Sequence, residues 1–90
     1  MTGELITDPA RVERLARAIV SDVMLYNAEK VVAGITNDDV FDRMRPELDQ
    51  ARAYFATRVD ADVAAKTNAF ERALVDVLVY RSRHVRSQIW

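Results

Sequence analysis

The sequence predicts an all-α fold: a three-helix, bundle-like hairpin domain whose second helix is kinked at a proline, and which is expected to dimerise. Three observations predict it. Apolar residues recur at three- and four-residue steps along most of the chain. Only two Gly and two Pro occur in 90 residues, and they fall where one periodic stretch gives way to the next or where its path bends. Apolar residues make up 50% of the chain and charged residues 30%, which is too apolar for disorder. Helices are expected over about 9–33, 38–58 and 62–86 in a single domain spanning 1–90, with no repeat, low-complexity segment or linker.

The first helix starts at Asp8-Pro9, an N-cap residue followed by proline at the first helical position. Gly34 is the expected C-terminal cap. Val12, Leu15, Ala16, Ile19, Val23 and Tyr26 form its expected core face. Ala18, Ser21, Leu25, Ala28 and Val32 recur on the opposite side as a short heptad-like seam, and Val20, Met24 and Val31 fill the arc between. A helix apolar on most sides is normally buried on most sides, and two further helices cover only part of it. A second copy is the simplest remaining cover, since twofold homodimers are the commonest assemblies.

Thr36 or Asn37 caps the second helix, and Asp38 and Asp39 suit its positive end. Val40, Met44, Leu48, Ala51 and Phe55 form one stripe that runs unbroken across Pro46. The expectation is therefore a kinked continuous helix, with two short helices as the alternative. The third helix begins between Asp60 and Asn68, where Asn68 and Glu71 are spaced for a capping box. Phe70, Leu74, Val77 and Leu78 are its core face. The run from Leu74 to Tyr80 is rich in β-branched residues, but a lone strand would have no partner, so helix is expected. Val75, Val79 and Tyr80 lie off the core face. Tyr80 and Trp90 combine apolar bulk with one polar group, as interface anchors do; Tyr80 fits a core edge equally well, and Trp90 lies at a chain end, where fraying is common.

Composition excludes several function classes. There is no cysteine, hence no disulfide or thiolate ligand, and His84 is the only histidine. No metal and no cofactor is expected. The carboxylate pairs Asp38/Asp42 and Asp60/Asp62 sit at expected helix starts, where capping accounts for them. No Glu-x-x-His pair, glycine-rich phosphate loop or nucleophile elbow occurs, so no catalytic residue is assigned. Charge is nearly balanced, 13 Lys+Arg against 14 Asp+Glu, which argues against a general nucleic-acid binder. The tail carrying Arg81, Arg83, His84 and Arg86 leaves a nucleic-acid-associated role as an alternative. No apolar run approaches the roughly 18 residues of a membrane span, and the first residues lack the pattern of a signal peptide; a cytoplasmic location without membrane contact is the expectation.

Asp22, Tyr26, Asn27 and Lys30 form the densest polar cluster, at one-turn spacings. They are either the wall of a small-ligand pocket in a helical bundle or ordinary half-buried and solvated groups whose bonds are local, the latter being favoured. The stretch from Arg14 to Val31 resembles the pattern A-R-x-L-V-S-D/E-I-x-L-Y-N-x-x-K-V of a small helical module found at the C-termini of many deltaproteobacterial and acidobacterial proteins, often behind zinc-ribbon or signalling domains. The region from Asp49 to Val59, and Phe70 to Leu74, resemble its later helices. The resemblance implies a bacterial accessory or assembly role without enzymatic activity, and it singles out Ser21, Asp22, Tyr26, Asn27 and Lys30. The expected function is accordingly a non-enzymatic oligomerisation or protein-interaction module. Its partner would be a second copy or a partner protein's helix, docked through Ala18, Ser21, Leu25, Ala28, Val32 and Tyr80.

Overall fold

The computed structural model describes residues 4–89, with side chains as far as Arg83. Within them the chain is all-helical: α1 (Pro9–Tyr26), α2 (Ala28–Asn37), α3 (Val40–Arg43), α4 (Arg45–Arg58), α5 (Ala61–Thr67) and α6 (Ala69–Ile89). The six helices make three legs. α1 and α2 form one bent rod, α3 and α4 a second, and the corner helix α5 leads into α6, the third.

Asp8 caps α1, its Oδ1 accepting the Ala10 N–H at 3.2 Å, and Pro9 occupies the first turn as the sequence predicts. The rod then bends at Asn27 (φ −117°, ψ 35°), where one helix to residue 33 was expected. Both the backbone N–H and the side-chain Nδ2 of Asn27 donate to the Val23 carbonyl, at 3.1 and 2.8 Å. An amide side chain competing with the helical ladder bends the helix. The ladder still resumes, because Val31 N–H reaches Asn27 O at 3.0 Å.

Gly34 does not end this leg, contrary to expectation. α2 runs on to Asn37, and Asp38 takes the left-handed conformation (φ 60°) that closes it. Gly34 is instead a contact residue: a Cβ there would lie 2.5 Å from Val40 Cα, so its absence lets the start of α3 press against α2. Thr36 and Asn37 lie inside α2 and do not cap the second leg; Asn37 Nδ2 donates back to Ala33 O at 2.8 Å.

The second leg is two helices, α3 and α4, joined at Met44, where a kinked single helix was expected. Met44 N–H still meets Val40 O at 2.9 Å, and Leu48 N–H meets Met44 O at 2.8 Å. Pro46 sits in the first turn of α4, where its missing N–H costs no bond. Met44, Leu48, Ala51 and Phe55 are buried and Val40 half-buried, as the stripe predicts.

The third leg breaks at Asn68, which adopts φ 51° between α5 and α6. The expected capping box does not form: Glu71 receives Arg52 at 2.8 Å instead. Asp60 caps α5 through Val63 N–H at 3.2 Å. Beside it, Ile6 pairs with Val59 in an isolated parallel bridge, with Ile6 N–H to Arg58 O at 3.0 Å and Asp60 N–H to Ile6 O at 2.9 Å. The β-branched run in α6 is helical. Phe70 and Leu74 are buried, whereas Val77 and Leu78 are half-buried.

Ion pairs give the directions of the legs. Glu13–Arg72 (3.7 Å) and Arg17–Asp76 (3.3 Å) each step four residues along both helices, so α1 and α6 run parallel. Arg52–Glu71 and the Phe55–Phe70 ring contact (centroids 5.6 Å apart) set α4 antiparallel to α6. The core face of the rod is Val12, Ala16, Val20, Met24 and Val31, all at most 1% exposed. This corrects the expected face: Leu15, Ile19 and Val23 are half-buried, and Tyr26 is 83% exposed.

Replacing Gly34 by alanine tests the close approach. Helix propensity alone favours alanine by about 1 kcal/mol. The clash with backbone of α3 should outweigh it, giving a net loss of about 1–3 kcal/mol in urea unfolding. A gain in stability would show that α3 yields freely.

Candidate interaction surface

The seam residues point away from the core. Ala18, Leu25, Ala28 and Val32 are exposed and Ser21 is half-buried; Leu25 retains 59% of its surface and Val32 45%. Tyr80 on α6 is 73% exposed. Because α1 and α6 are parallel, the Arg17–Asp76 pair places Ser21 and Tyr80 at one level, a turn further along each helix. Val75 and Val79, also about half exposed, extend the apolar surface on α6. The six predicted docking residues thus occupy the outer side of the α1–α2 rod and its parallel neighbour. The ion pairs Glu13–Arg72 and Arg17–Asp76 lie between the two helices, so the apolar side chains stand in two rows flanking a charged line.

Asp22, Tyr26 and Asn27 of the polar cluster line one open groove, together with Glu47, the partner of Lys30. Asn27 is committed to Val23 O, and the Lys30 ammonium donates to Glu47 Oε2 on α4, tying the rod to the second leg. Asp22 and Tyr26 stand at the rim of an open groove between α1 and α4 that Gln50 and Tyr54 also line. Two of the four motif residues therefore hold the fold together, and the other two face outward. The Lys30 hydrogen bond, assisted by Glu47's own backbone N–H, holds the Glu47 carboxyl below its ordinary value. Its other oxygen, Oε1, is buried without a well-formed hydrogen bond.

The remaining carboxylates have structural partners or exposed positions. Asp60 caps α5, Asp39 pairs with Arg43 at 2.8 Å, and Asp42 pairs with Arg45 at 2.8 Å. Among the described residues no group of His, Cys, Asp or Glu is placed to hold a metal, and no helix is long and apolar enough to cross a membrane. Within the tail, Arg81 is half-buried and Arg83 exposed. The side chains of His84, Arg86 and Trp90 lie outside the described residues.

Sequence reading missed the charged ends of the seam. Arg11 and Arg14 continue its seven-residue spacing towards the start of α1, and both are exposed. The signal was present: Arg11, Ala18, Leu25 and Val32 are seven apart, as are Arg14, Ser21 and Ala28. Comparison with family models, curated proteins and solved structures returned no match.

The Lys30–Glu47 pair makes a signed pH prediction. A carboxylate whose folded pKa is depressed contributes stability that is complete above its unfolded value and is lost as pH falls through the folded one. The stability difference between the native chain and Glu47→Gln should hold steady above pH 4.5 and shrink below it. Urea midpoints followed down to about pH 3 measure this. A difference that stays flat throughout means the pair contributes nothing.

Proposed function

We propose that this chain is a non-enzymatic assembly module that self-associates as a homodimer through the outer face of the α1–α2 rod and the adjoining face of α6. The observation that carries the reading is the exposure of Leu25 and Val32 on the rod, and of Val75, Val79 and Tyr80 on the helix that runs parallel to it. A side chain of this size contributes roughly 1.5–3 kcal/mol when fully buried. Association costs about 4–15 kcal/mol in lost freedom, so no single residue suffices and several must be covered together. A twofold interface supplies that, because each residue is buried twice.

The small residues support the same reading. Ala18, Ser21 and Ala28 sit among the large ones on the exposed face, where they allow a second helix to come close. The resemblance of this stretch to a bacterial accessory module agrees with an assembly role, and the occupation of Asn27 and Lys30 by bonds within the chain disfavours a ligand pocket around them.

Size-exclusion chromatography with light scattering tests the proposal. The native chain should run as a dimer that dissociates on dilution, and Leu25→Asp as a monomer with unchanged helix content. A native chain that remains monomeric at high concentration rejects self-association, leaving the seam to a different partner's helix.

A further inference from the structure

We infer that the two copies pack antiparallel along the α1–α2 rod, with the twofold axis passing it between Tyr26 and Asn27. This rests on the homodimer proposed above and adds the arrangement of its chains. Size is the first argument. About that axis Leu25 lies opposite Ala28 of the second copy and Val32 opposite Ser21, so every central layer pairs a large side chain with a small one. A parallel pairing in register would instead set Ala18, Ser21 and Ala28 each against itself, leaving gaps that a well-packed interface does not tolerate.

Charge is the second argument. Asp8 caps α1, but no acidic residue lies in its first turn, and Arg11 and Arg14 stand exposed near that positive helix end. α2 carries no basic residue in its last turn, and Asp38 stands at that negative end, where an anion is disfavoured; Asp39 beside it is the N-cap residue of α3 and pairs with Arg43. Among the described residues Arg11, Arg14 and Asp38 form no ion pair within the chain. These three charges, two positive near the start of the rod and one negative at its close, are complementary to one another. Antiparallel pairing brings Arg11 and Arg14 of one copy to the Asp38–Asp39 corner of the second, twice over. Parallel pairing stacks arginine on arginine and aspartate on aspartate, which opposes association.

The absence of native cysteine allows a direct test. Ser21→Cys and Val32→Cys chains are made separately, and light scattering establishes whether each is a dimer. In the antiparallel arrangement Cys at position 21 faces Cys at position 32 of the other copy. Like positions are then eleven residues of helix apart, about 16 Å, beyond disulfide reach. An equimolar mixture under mild oxidant should therefore form the mixed disulfide, with neither variant cross-linking alone. Rapid cross-linking of Val32→Cys alone would establish a parallel dimer and overturn the inference while leaving the proposed function intact. A dimer that cross-links in no combination would place the interface on another face and overturn it as well, and a monomer would overturn both. As a second readout, Arg14→Glu should raise the dissociation constant by about 2- to 30-fold, the effect of an exposed ion pair counted twice. Mixing it with Asp38→Lys chains should restore association, and no restoration would count against the inferred contact.

Discussion

The rod formed by α1 and α2 is the element on which the rest of the structure depends. Val12, Ala16, Val20 and Met24 place one residue per turn in the centre of the molecule and Val31 follows two turns on, and both other legs close on that line. α6 lies beside it in parallel, clamped by Glu13–Arg72 and Arg17–Asp76, while Lys30–Glu47 ties it to α4. These ion pairs are partly exposed and individually weak. They set register and direction; burial supplies the cohesion. At Gly34 the rod gives up a side chain, so that the start of α3 at Val40 can press against it.

The fold class and the positions of most helices were legible in the sequence, because period and punctuation survive any tertiary arrangement. The stripe Met44, Leu48, Ala51, Phe55 was read correctly for a physical reason: that helix is apolar on one side only, so its phase is unambiguous. The first leg defeats the same method. With apolar residues on nearly every side, periodicity shows that a helix forms but not which way it faces. Val20 and Met24 were consequently placed beside the core and Tyr26 within it. The break at Asn27 was missed for a related reason, and those at Met44 and Asn68 were left open, the first as the alternative of two short helices and the second within a range of helix starts. Each depends on what an amide, a proline neighbour or a left-handed residue meets in three dimensions, and spacing along the chain does not encode that.

The outer face was legible for the opposite reason. Once one line of the rod is fixed as core, the residues half a turn away must face outward, and the seam from Ala18 to Val32 does. The polar motif was less transparent. Asn27 and Lys30 are chemically versatile, but here one bends the helix and the other joins two legs. A residue type that suits ligand binding also suits structural bonding, and only the location of its partner separates the two. Glu47, that partner for Lys30, lies seventeen residues away, so no local pattern announced it.

The unmatched electrostatics of the rod connect its fold to its surface. A helix that had only to be stable alone would carry acids at its start and bases at its end. Asp8 and Glu29 follow that pattern at the starts of α1 and α2, but the outer face of the rod departs from it: Arg11 and Arg14 stand exposed near its start and Asp38 where it stops. The core does not need this arrangement, since none of these residues is buried. A charge distribution unfavourable within the chain persists at no disadvantage if an outside group offsets it, and a second rod running the other way offsets both ends at once. The same geometry fits small residues against large ones along the middle. In the proposed antiparallel pair shape and charge favour the same occupant of this face, whereas exposed apolar residues elsewhere, such as Leu5 and Phe41, have no such charges arranged around them in the proposal.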